Sequence, residues 1–106
     1  MAKKYQKFQD YLVKKLQNKK EAKAFLDGAI LEFEEDGDIE AFLLALRYLA
    51  EAKGGVNHLA NASQLNRQNL YKILTGKTVP KFDTTLSIMN SLGYRFKVEA
   101  LPVARV

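Results

Sequence analysis

From Val56 to Thr75 the chain reads VNHLANASQLNRQNLYKILT, with apolar positions at helical spacings on both sides of a short polar break. Leu59 and Ala60 make the inner face of one short helix. Leu65 stands at the exit of a tight turn. Leu70 and Ile73, three residues apart, make the inner face of a second helix. Ala60 is small where the two would cross. Asn66, Arg67, Gln68, Asn69, Tyr71 and Lys72 are left facing outward. This pattern predicts a helix-turn-helix, whose second helix enters the major groove of double-stranded DNA. Arg, Gln and Asn can read base edges with paired hydrogen bonds. Any helical hairpin with a solvated outer face has the same spacings, so the pattern alone leaves both readings open. Gln64 stands where such turns commonly carry Gly, and a non-Gly residue in the left-handed region costs roughly 1 kcal/mol.

The same periodicity runs through the rest of the chain. Tyr5, Phe8, Tyr11, Leu12 and Leu16 stripe an amphipathic helix over residues 4–17, with Lys4, Lys7, Lys14 and Lys15 on its other face. Packing on its own domain is the first expectation for this helix; a membrane surface or a partner are the others. A second helix is expected over about 20–35, capped by Asn18 and striped by Ala22, Phe25, Leu26, Ala29, Ile30 and Phe33. Gly28 either weakens it or permits a close contact. Gly37 stops it, and Asp38 caps a third helix over about 39–53. Phe42, Leu43, Leu46, Leu49 and Ala50 form one face of that helix, widened by Leu44, Ala45 and Tyr48, which marks it as central. Gly54-Gly55 ends it. After the hairpin, Gly76 reads as a helix stop and Pro80 marks the end of a loop. Asp83 is expected to cap a last helix over about 84–91.

The tail changes period. Tyr94, Phe96 and Val98 alternate with Arg95, Lys97 and Glu99, a strand pattern. A single strand leaves its backbone groups unpaired. The simplest partner is the same strand of a second molecule, which predicts a homodimer joined through Tyr94, Phe96 and Val98. A strand offered to another protein is the competing reading. Residues after Pro102 are expected to be disordered. The fold class is therefore all-α: a five- to six-helix bundle containing a helix-turn-helix, with one short C-terminal strand. Residues 1–19 form a basic helix or arm, 20–93 the helical domain, 94–101 the strand and 102–106 a tail.

Charge sharpens this picture. The net charge of +5 is segregated. Residues 1–23 hold eight Lys against Asp10 and Glu21; residues 24–53 hold eight acids against Arg47 and Lys53; residues 54–106 hold seven basic residues against Asp83 and Glu99. A basic half that coincides with the hairpin suits a polyanion. With 106 residues, 47% of them hydrophobic, the chain suffices for one folded domain. It has no Cys, which excludes a disulfide framework, a zinc finger and a thiol nucleophile and fits a cytoplasmic protein. The charged start shows no signal peptide, and no apolar run is long enough for a membrane span.

Little points to catalysis. His58 is the single histidine, so a transition-metal site has few ligands. Ser63 and His58 lack the loop signature of a nucleophile elbow. The acids Glu32, Glu34, Glu35, Asp36 and Asp38 lack the spacing of a calcium loop, and no glycine-rich phosphate loop is present. Neither an enzyme nor a cofactor is expected.

Three segments carry a family resemblance: GDIEAFLLAL at Gly37 to Leu46, LNRQNLYK at Leu65 to Lys72, and LGYRFKV at Leu92 to Val98. Together they resemble the HigA-like addiction-module antidote family, small helix-turn-helix proteins of the Xre/Cro type, over about residues 11–100. The resemblance implies the antitoxin of a type II toxin–antitoxin module, which represses its own operon as a dimer and neutralises a RelE-like toxin by direct binding. Carried onto this chain, it implies Asn66, Arg67, Gln68, Asn69 and Tyr71 as base readers and Lys72, Thr75 and Lys77 as phosphate contacts. RelE-like toxins are generally basic, which makes the acidic block from Asp27 to Glu40 their natural complement. Gln64 and the Lys-rich start depart from the family pattern. A helix-turn-helix regulator without a toxin, or a toxin-masking protein without specific DNA binding, would share the same fold.

Overall fold

The computed structural model describes residues 2–103, with side chains from Gln6 onward. Expectations placed on the side chains of Lys3, Lys4 and Tyr5, and on residues 104–106, lie outside the described residues. Six helices follow one another: α1 (Ala2–Lys15), α2 (Lys19–Asp36), α3 (Ile39–Ala52), α4 (Val56–Ser63), α5 (Arg67–Leu74) and α6 (Phe82–Ser91).

The apolar character of α3 on nearly every side determines the architecture. Phe42, Leu43, Ala45, Leu46, Tyr48, Leu49 and Ala50 are all buried, and a helix apolar all round must be covered on several faces. α1, α2, α4 and α5 supply that cover, while α6 packs on α4. Burying each of Leu46 and Leu49 contributes roughly 1.5–3 kcal/mol. Leu44 is the exception and stays exposed.

Local chemistry sets the ends of α2 and α3 as expected. Asn18 accepts from the backbone N–H groups of Lys20 and Glu21. Gly37 takes the left-handed conformation, φ 69°, and its N–H returns to the Phe33 carbonyl at 2.8 Å. Asp38 then accepts from the Ala41 N–H at 3.1 Å. These satisfy groups that helix ends leave orphaned.

Two expectations are corrected, at α1 and at the start of α6, and two others are narrowed. α1 is a helix, but its described aromatic residues, Phe8 and Tyr11, are exposed; Leu12 and Val13 are partly buried and Leu16 fully. The apolar stripe outruns the surface available to cover it. Gly28 makes no close approach, for a Cβ there would meet nothing within 4 Å. α6 begins at Phe82, with Lys81 in the cap position and Asp83 inside the first turn. The Lys81 carbonyl already accepts from the Thr85 N–H at 3.0 Å, so the helix is under way before Asp83, whose carboxylate takes the N–H of Thr84. Finally, no strand is formed among the described residues; residues 94–101 have no regular structure within the single chain.

Candidate functional site

α4 and α5 are two eight-residue helices joined at Gln64–Asn66. Their buried residues, Leu59 and Ala60 on α4 and Leu70, Ile73 and Leu74 on α5, turn the two inner faces to the core. Gln64 adopts φ 60°, ψ 20° and is the one non-Gly residue of positive φ among the described residues. Ser63 braces the turn, donating to the Ala60 carbonyl and accepting from the Leu65 N–H. Its hydroxyl is thus committed to the backbone. His58 lies exposed on α4, with its ring against Gly54.

Asn66 is the cap of α5. Its Oδ1 accepts from the N–H groups of Gln68 at 2.9 Å and Asn69 at 3.2 Å. That oxygen positions the helix and is engaged before any ligand arrives. Arg67, Gln68, Asn69, Tyr71 and Lys72 are exposed. With Leu70, Ile73 and Leu74 inward, the helical period puts Gln68 and Lys72 at the centre of the outer face, Tyr71 and Asn69 beside them and Arg67 at its edge. Thr75 donates its hydroxyl to the Tyr71 and Lys72 carbonyls, closing the end of α5. The next turn folds back, and the N–H of Lys77 donates to the Lys72 carbonyl at 2.9 Å. Lys77 is exposed beside it.

Sequence spacing gave no sign of Arg47 here. It lies on α3, over the Tyr71 ring, and donates to Glu51 at 3.3 Å. Contacts between elements distant in the chain leave no local period to detect. The outer face of α5 is thus a row of amide and cationic donors on a backbone fixed at both ends. Its chemistry suits hydrogen bonding to base edges and phosphates.

A second feature lies elsewhere on α3. Between α2 and α3 runs a groove of about 310 Å³, lined by Gly28, Ala29, Ala41 and Ala45 and by the exposed acids Glu32, Asp36 and Asp38. It falls within the acidic block of the sequence. The tail residues sit beyond α6: Tyr94 is partly buried with Lys53 Nζ over its ring at 5.1 Å, Phe96 stacks on Phe82, and Val98 is exposed. Phe82 is a neighbour that spacing had not marked. Among the described residues no group of three His, Cys, Asp or Glu could hold a metal ion, and no helix is long and apolar enough to cross a membrane.

The family model described as "Probable addiction module antidote protein" matches residues 4–100. A Haemophilus influenzae protein, described as an uncharacterized protein, is 32% identical over 68 residues, 64% of this chain and 69% of that relative. No solved structure matches.

Proposed function

This chain belongs to the addiction module antidote family, and from that premise we propose that it is the antitoxin of a type II module. In this reading it is a HigA-like protein of the Xre/Cro type. It binds its own operator as a homodimer and neutralises a RelE-like toxin by direct contact. The observation that carries DNA binding is α5: a capped helix whose outer face holds Arg67, Gln68, Asn69 and Lys72, in the basic half of the chain.

Two copies of α5, held by a contact between the tails at Tyr94, Phe96 and Val98, would enter successive major grooves about 34 Å apart. Gln68 at the centre of the outer face is the candidate reader of adenine, and Arg67 of guanine. Lys72, Lys77 and Lys81 supply charge to the backbone, and affinity falls steeply with salt. Asn66 acts mainly through the helix it caps. The acidic rim of the α2–α3 groove is the candidate toxin face.

Fluorescence anisotropy tests this with duplex DNA from directly upstream of the gene and a scrambled duplex beside it. The expected outcome is tight binding to the upstream duplex alone. Arg67→Ala should cost about 1–3 kcal/mol at that duplex only. Equal, salt-sensitive binding to both duplexes would leave a protein that masks a toxin without specific DNA recognition. The acid-rimmed groove between α2 and α3 supports the toxin-binding part that both readings share.

A further inference from the structure

The tail carries backbone groups that no other described segment pairs. Gly93, at φ 97°, turns the chain out of α6, and the Tyr94 N–H donates to the Met89 carbonyl at 2.9 Å. From Tyr94 to Leu101 the chain then runs without a turn or bend. No backbone hydrogen bond joins 95–100 to another described residue. Phe96 stacks on Phe82, ring centroids 6.1 Å apart, yet Phe96 remains 40% exposed and Phe82 71%. Val98 is 95% exposed. In an extended segment alternate side chains share a face. Tyr94, Phe96 and Val98 therefore make an apolar side continued by Phe82, and Arg95, Lys97 and Glu99 a charged one.

Resting on the homodimer reading, we propose that two tails pair antiparallel with Lys97 on the two-fold axis, and that Phe82 belongs to the same contact. Registers that set apolar residues opposite charged ones are excluded, since a one-residue slip reverses the faces. Centring on Arg95 pairs Lys97 with the partner's Gly93, at the turn out of α6, and centring on Glu99 pairs Phe96 with the partner's Pro102, so three symmetric registers remain to compare. Centring on Phe96 sets Arg95 against the partner's Lys97 twice, and like charges directly opposite are destabilising. Centring on Val98 sets Phe96 against only the small Ala100 of the partner subunit and brings Pro102, which has no N–H, into the ladder. Centring on Lys97 pairs Arg95 with the partner's Glu99, Phe96 with the partner's Val98 and Tyr94 with the partner's Ala100, each twice. It also centres the axis on the unbent segment 94–100. One like-charge pair, Lys97 with its own copy, lies on the solvent side with Glu99 diagonal to it. The partner's Val98 covers the open side of the Phe82–Phe96 stack. The tail thus recognises a second copy of this chain by shape and charge order.

The chain has no Cys, so single-cysteine variants of the full protein report the register directly. Facing residues of an antiparallel pair lie roughly 4.5–5.5 Å apart at Cα, within disulfide reach, whereas diagonal neighbours at about 7–8 Å are not. Under mild oxidation K97C should cross-link to itself nearly completely, F96C and V98C alone should not, and F96C mixed with V98C should. By sedimentation velocity, Phe82→Ser should loosen the dimer about tenfold or more, with circular dichroism showing the helices retained. A dimer that cross-links through F96C or V98C alone overturns the register and leaves the homodimer standing. A dimer indifferent to Phe82→Ser removes that residue from the contact. A monomer at every concentration overturns the homodimer itself.

Discussion

The Arg47 guanidinium carbon lies 5.8 Å from the centroid of the Tyr71 ring, so the middle of α3 is joined to the outer edge of α5 by a cation–π contact. At a partly exposed site such a contact is worth about 0.5–1 kcal/mol. Arg47→Ala should lower the urea-unfolding free energy by about that much beyond its lost packing and its lost ion pair with Glu51. In a Tyr71→Leu background the coupling should vanish. A double-mutant cycle measures it, and additive losses would show that the two side chains do not interact.

Asn66 holds the first turn of α5. Asn66→Ala should cost about 0.5–2 kcal/mol of stability, read from the thermal midpoint. Asn66→Asp, which keeps the capping oxygen, should restore most of it. If Asn66 also read a base, Asn66→Asp would remain defective at the upstream duplex despite its recovered stability.

Two backbone positions should respond in the stabilising direction. Gln64 adopts φ 60°, so Gln64→Gly relieves roughly 1–2 kcal/mol of left-handed strain, offset by about 0.4–1 kcal/mol of added freedom in the unfolded chain. Gly28 stands inside α2 with open space around it, so Gly28→Ala should gain about 0.5–1 kcal/mol. Chemical denaturation checks both, and a loss at either position would contradict the geometry.

Tyr94 should make the protein's stability fall at alkaline pH. Burial raises its phenol above the ordinary 10.0, the Asp27 carboxylate adds to the rise, and the Lys23 ammonium opposes it. The folded chain therefore keeps the proton at a pH where the unfolded chain has begun to lose it. The resulting stability is fully present below about pH 10 and is lost as pH rises through the folded value. Thermal midpoints should fall above about pH 10, and Tyr94→Phe should flatten that fall. An unchanged slope in the variant would assign it to other groups.

The central elements were legible in the residues because their ends are written in local chemistry: Asn18, Gly37 and Asp38 each do at the helix boundary what their side chain or backbone freedom suits. The turn conformation of Gln64 was legible for the same reason. What lay outside local chemistry was less so. Phe8 and Tyr11 follow a helical stripe, but a stripe does not reveal how far the covering surface extends. Asp83 resembles a cap, yet α6 starts at Phe82. The α5 face could be listed from its period, but the engagement of Asn66 and Thr75 with backbone groups, and the arrival of Arg47, depend on geometry that spacing does not carry. The tail alternates like a strand, and a strand needs a neighbour that a lone chain does not contain.

α3 touches α1, α2, α4 and α5, so the acid-rimmed groove and the polar face of α5 rest on one shared rod. A partner seated in the groove and a duplex held at α5 would bear on different sides of the same helix. If seating one shifts that rod, it alters the hold on the other. The accounting is then reciprocal: whatever factor the partner applies to the duplex's affinity, the duplex applies to the partner's.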